Sequence, residues 1–95
     1  MVVGDFLSLN IGSNQNFIPT GSDVWMCLSV ATMYPNPQVE ISDGAIVTRI
    51  LIATAISNAN QNNLNCKILV TNSNYMVFNN IGVGESIVAG LVQVA

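Results

Sequence analysis

Apolar and polar positions alternate with a period of two over most of the chain, the spacing that sends successive side chains to opposite faces of a strand. The alternation is cleanest in "LNCKILVT", where Leu64, Cys66, Ile68 and Val70 oppose Asn65, Lys67 and Thr71. "DVWMCLSVATM" sets Val24, Met26, Leu28 and Val30 against Trp25, Cys27, Ser29 and Ala31, and the aliphatic set predicts the core face. "AIVTRILIATAI", residues 45–56, has a β-branched face of Ile46, Thr48, Ile50, Ile52, Thr54 and Ile56. Its other face should be polar but carries Val47, Arg49, Leu51, Ala53 and Ala55. A strand that is apolar on both sides predicts that one side fills the core and the other meets a neighbour.

Turn signals separate these runs. "NIGSNQNFIPTGS" reads as a polar loop with a turn at Pro19 and Gly21, and "YPNPQVEISDG" as a bend followed by a short strand over 38–41. "NYMVF" and "SIVAGLVQV" supply two further strands, and no stretch has a sustained helical period. The expectation is an all-β chain: a single small β-sandwich or β-tulip-like barrel of about six or seven mainly antiparallel strands. Residues 1–10 are read as an N-terminal arm or edge strand, and 11–95 as one β domain.

Composition changes the picture in one respect. Hydrophobic residues make up 51% of the 95, and charged residues only 7%, against about 25% in ordinary soluble domains. So little charge predicts a surface that is covered in use, because oligomer interfaces are apolar and poor in Lys, Glu and Asp. Thirteen asparagines supply neutral polarity at the turns and rims. Two cations against five carboxylates give a net charge of −3, so the basic footprint of a nucleic-acid binder is missing. "MVVGDFLSLN" lacks a basic stretch ahead of its apolar run, which predicts no secretory leader, and Arg49 interrupts the most hydrophobic segment, which predicts no membrane span.

Catalytic chemistry finds little material. The chain has no histidine, the commonest general base. Glu40 and Asp43 read as solvated loop carboxylates, and Asp23 and Glu85 as residues at strand starts. "GVGES" lacks the lysine of a phosphate loop and reads as a turn with Gly82 or Gly84 at positive φ. Cys27 and Cys66 have no metal-binding spacing and read as two buried thiols, with a disulfide as the alternative. No cofactor, no metal and no enzymatic activity are expected. Arg49, mid-strand, requires a carboxylate or carbonyl partner or a route to solvent.

The second half, "GAIVTRILIATAISN", then "CKILVTNSN", then "VGESIVAGLVQVA", resembles small virion proteins of tailed bacteriophages over residues 44–95. The likeness lies in strand rhythm and in the glycine–acid turn before the closing strand; the "YPNPQ" bend and Trp25 have no place in it. The resemblance implies a capsid decoration (cement) protein on the virion, a homotrimer clamping the major capsid protein, with a tail or neck component as the alternative. It also implies that Val2, Val3, Phe6 and Leu7 form an arm that contacts the shell. The candidate subunit interface is Val47, Arg49, Leu51, Ala53, Ala55 and Trp25. A carbohydrate-binding or adhesin module, using Trp25, Tyr34 and the Asn-rich tips, is the rival from another class.

Overall fold

A computed structural model describes the backbone of residues 2–34, 36–52 and 62–95, and the side chains of these except 50–52 and 62–66. Eight strands follow one another: β1 (Phe6–Ile11), β2 (Gln15–Phe17), β3 (Trp25–Thr32), β4 (Gln38–Ser42), β5 (Val47–Ile52), β6 (Asn62–Val70), β7 (Tyr75–Asn79) and β8 (Ile87–Gln93). They form two four-stranded sheets, β1-β8-β3-β6 and β2-β7-β4-β5, and every pairing is antiparallel. β1 pairs with β8, β2 with β7, β3 with β6 and β4 with β5. That is one long hairpin folded over on itself, the strand order of an eight-stranded jelly roll. The expected sandwich is therefore the observed architecture, with eight strands among the described residues where about six or seven were expected.

The added strand is β2, three residues inside the stretch read as a loop. Gln15 and Asn16 are exposed and only Phe17 packs on the core, so the segment has almost no apolar pattern to read. In the second sheet, β5 starts two residues later than the expected 45–56 strand. Ala45 and Ile46 belong to the β4–β5 turn, and residues 53–56 lie outside the described residues.

The core lies between the sheets. Ile11, Trp25, Cys27, Val30, Ile87, Ala89 and Leu91 come from the first sheet with Val70, and Val39, Met76 and Phe78 come from the second. Trp25 meets Phe17 of the opposite sheet edge to face, with centroids 6.0 Å apart, a favoured aromatic geometry. The predicted core face of β3 is corrected here. Trp25 and Cys27 point inward, while Met26 and Leu28 are only half-buried. A β-bulge between Cys27 and Ser29 then inserts one residue relative to β8 and switches the faces, so that Val30 and Thr32 point inward instead. No single period-two reading of β3 can give that pattern.

The loops meet in groups at the ends of the sandwich. Ile81 N donates to Asn14 Oδ1 (2.9 Å) and Asn80 Nδ2 donates to Asn36 O (2.9 Å), joining the β1–β2, β3–β4 and β7–β8 loops. Asn72 Nδ2 donates to Pro19 O (3.2 Å), joining the β6–β7 and β2–β3 loops. Gly84, not Gly82, takes the positive φ, at 81°.

Candidate interaction surfaces

The candidate interface residues do not stay together in the folded chain. Trp25 is 4% exposed and belongs to the core, so it offers no surface to another subunit or to a sugar. Val47 is 54% exposed and starts β5, the edge of the second sheet. Leu51 lies further along β5 with its side chain outside the description, and Ala53 and Ala55 lie outside the described residues. Ile46, expected inward on a 45–56 strand, is 69% exposed because it lies in the β4–β5 turn and not in a strand. Of the arm candidates, Val2, Val3 and Phe6 are exposed, while Leu7 packs on the core. Phe6 and Leu7 belong to β1, held in register with Val92 and Leu91. They are edge-strand residues of the sheet, not a free arm.

Arg49 has its partner within the chain. Its Nε donates to Glu40 Oε2 at 3.0 Å, across the register pair Glu40–Arg49. Glu40 is buried in the central strand β4, correcting its reading as a loop carboxylate, while Arg49 is half exposed. The pair therefore sits on the outer side of the β4–β5 ladder, with the arginine shielding the acid from solvent. Asp43, in the turn after β4, accepts from the amides of Ile46 (2.8 Å) and Ala45 (2.9 Å). Those two amide hydrogen bonds, Ile46 foremost, favour the charged form and hold the carboxyl below its ordinary value of 3.8.

The outer face of the first sheet carries an alignment that no single strand reveals. Phe6 of β1 opposes Val92 of β8, Val92 opposes Met26 of β3, and Met26 opposes Leu69 of β6. Phe6 is 69% and Leu69 52% exposed, with Val92 and Met26 half-buried between them. The next row is Ser8, Gly90 and Ser29, and the one after it Asn10, Val88 and Ala31. Among the described side chains on these four strands, Lys67 is the lone charge.

Two concavities flank the loops joined through Asn14, Asn36 and Asn80. An apolar one of about 170 Å³ lies among Ala31, Met33, Tyr34 and Val88, with Thr32 and Ser86 at its wall. Thr32 Oγ1 donates to Ser86 O (2.8 Å) and fixes that wall. A wider, polar one of about 410 Å³ lies among Asn14, Asn36, Asn80, Gly82 and Glu85. There Gly82 N donates to Glu85 Oε1 (2.7 Å), which holds the carboxylate in place. Among the described residues no three His, Cys, Asp or Glu side chains gather closely enough to hold a metal ion.

The chain matches no family model, no curated protein and no solved structure. Cys27 is buried, with Sγ donating to Ser29 O at 3.7 Å, and lies opposite Ile68 in the register; the side chain of Cys66 is outside the description. The sequence pattern missed the Phe6–Leu69 row because its members come from four strands far apart in the chain. Only the sheet order β1-β8-β3-β6 makes them neighbours.

Proposed function

We propose that this chain is a non-enzymatic virion structural protein, a capsid decoration (cement) subunit that stabilises a shell through apolar contacts with copies of itself and with the major capsid protein. The observation that carries this reading is exposed apolar surface in a chain that has little charge. Phe6, Ile46, Val47 and Leu69 all stand more than half exposed, whereas isolated soluble domains keep large apolar groups scattered among charges. The phage resemblance of residues 44–95 supplies the setting and implies three copies. The jelly-roll strand order suits that setting, because viral capsid proteins use it, though lectins and cupins use it too and a fold alone does not fix a function. The mechanism is mechanical: many weak contacts spread over a shell, each adding to the barrier against rupture. A tail or neck component would use the same surfaces under a different symmetry.

The rival reading is a carbohydrate-binding module, and one observation favours it. The amide-lined hollow of Asn14, Asn36 and Asn80 also holds the Glu85 carboxylate, a setting suited to sugar hydroxyls, and Tyr34 lines the separate apolar hollow. It no longer includes Trp25.

The deciding experiment is antibody labelling of purified particles whose genome encodes this chain. Label on the head supports decoration, and label on the tail or neck supports the alternative. A chain absent from the particle overturns the proposal.

A further inference from the structure

We infer that the outer face of the β1-β8-β3-β6 sheet is a self-association surface, on which a second copy of this chain packs face to face about a two-fold axis. This rests on the reading that the chain assembles, and it names the surface and the symmetry of one contact.

The relief of the face argues for a copy of itself. The apolar ridge Phe6–Val92–Met26–Leu69 is followed by a row of small residues, Ser8, Gly90 and Ser29, and then by Val88 and Ala31. Rows on one face of a sheet repeat every two residues, about 7 Å apart. A second copy turned about a two-fold axis can lay its ridge in the trough at Gly90, as facing sheets interdigitate in sandwiches. Gly90 is what keeps the trough open: a Cβ there would extend outward beside Ser29 Oγ, 3.4 Å away.

Charge points the same way. The chain carries −3, so copies repel except where charge is sparse. Asp23, Asp43 and Glu85 lie in loops between strands, Asp5 stands just before β1 at the border of the face, and the Glu40–Arg49 pair lies on the other sheet. Lys67 alone stands on β6. The area is that of a small interface. Four strands of about seven residues make a face of about 19 by 23 Å, or about 900 Å² in plan for two copies. Side-chain relief carries the buried accessible area toward the lower end of the roughly 1,200–2,000 Å² typical of stable interfaces.

A face-to-face pair makes the assembly even-numbered: a dimer, or a hexamer where a three-fold contact elsewhere joins pairs. The test is light scattering on the full chain after size exclusion at tens of micromolar. The expected mass is an even multiple of 10.1 kDa. Gly90→Val fills the trough with a residue that favours strands, so it should halve that mass while the thermal midpoint stays level or rises. Leu69→Lys, on an exposed strand position, should halve it as well, and Ile46→Lys, in the β4–β5 turn that borders the other sheet, should leave it unchanged. A monomer or a lone trimer in the parent chain overturns the inference, as does retention of the parent mass by both Gly90→Val and Leu69→Lys. Dissociation by Ile46→Lys alone overturns it too, while leaving assembly at the β5 edge standing. Particle labelling tests the virion reading separately.

Discussion

Arg49 shows how one side chain can serve two ends. Its aliphatic stem extends the apolar edge of β5, and its guanidinium neutralises a carboxylate that the fold has buried. Truncation to Arg49→Ala would leave Glu40 buried with its charge partner gone. Because the arginine is half exposed, solvent screens the pair, and the expected loss is about 1–2 kcal/mol, well below that for a fully buried pair. Urea melts of Arg49→Ala, Glu40→Gln and the double variant check this, since a real pair makes the double loss smaller than the sum of the singles. Asp43 gives a prediction in pH. Its folded carboxyl titrates below the unfolded value because the Ile46 and Ala45 amides bond the anion. Its contribution is therefore fully present above the unfolded value and disappears as pH falls through the folded one. Stability curves of the parent and Asp43→Ala should differ at neutral pH and converge in acid. Gln93 is a third case: its Nε2 donates to Ala95 O, but Oε1 is buried without a hydrogen-bond partner among the described residues. An apolar replacement of similar size, Gln93→Met, removes that unsatisfied acceptor and should be neutral or stabilising by up to about 1 kcal/mol in the same melts.

Among the elements, legibility followed the regularity of the pattern. β8 alternates in burial along its whole length, with Ile87, Ala89 and Leu91 inward in the core, and the described end of β6, Lys67 to Val70, alternates as well. β3 resisted because its bulge switches faces halfway, so each half obeys the period-two rule with opposite phase. β2 resisted because an edge strand of three residues needs only Phe17 to anchor it. The candidate interface was legible as a chemical excess, too many apolar groups for too little charge. Its place was not, because the Phe6–Leu69 row exists only once β1 and β8 have closed on β3 and β6. Trp25 marks the same limit. The pattern put it on the face opposite the core, but in the fold it bridges the sheets through Phe17. Trp25→Ala should accordingly cost about 3–5 kcal/mol, as large aromatic deletions in cores do. A thermal midpoint lowered by only a degree or two would place Trp25 outside the core after all.

For the whole molecule, the decisive feature is that its first strand is completed by its last. β1 lies at a sheet edge and has one neighbour, β8, with Phe6 opposite Val92 and Ile11 opposite Ile87. Gly4 N donates to Gln93 O and Gln93 N to Asp5 O, so the pairing is tied beyond the strand itself. Jelly-roll closure of this kind relies on contacts distant in sequence, and folding on the millisecond-to-second scale is the expectation. The same closure separates two roles for the first ten residues. An arm that only grips a shell can be removed without harm to the subunit. β1 cannot, because Leu7, Leu9 and Ile11 pack on the core, and without them β8 would present an unpaired edge over apolar surface. A chain lacking residues 2–10 should therefore lose several kcal/mol of stability and tend to aggregate, as burial of the two side chains Leu7 and Leu9 at about 1.5–3 kcal/mol each implies. Circular dichroism and urea melts of the truncated chain decide between the roles. A native spectrum with an unchanged midpoint would make the segment an arm, and would mean that the sandwich closes on seven strands.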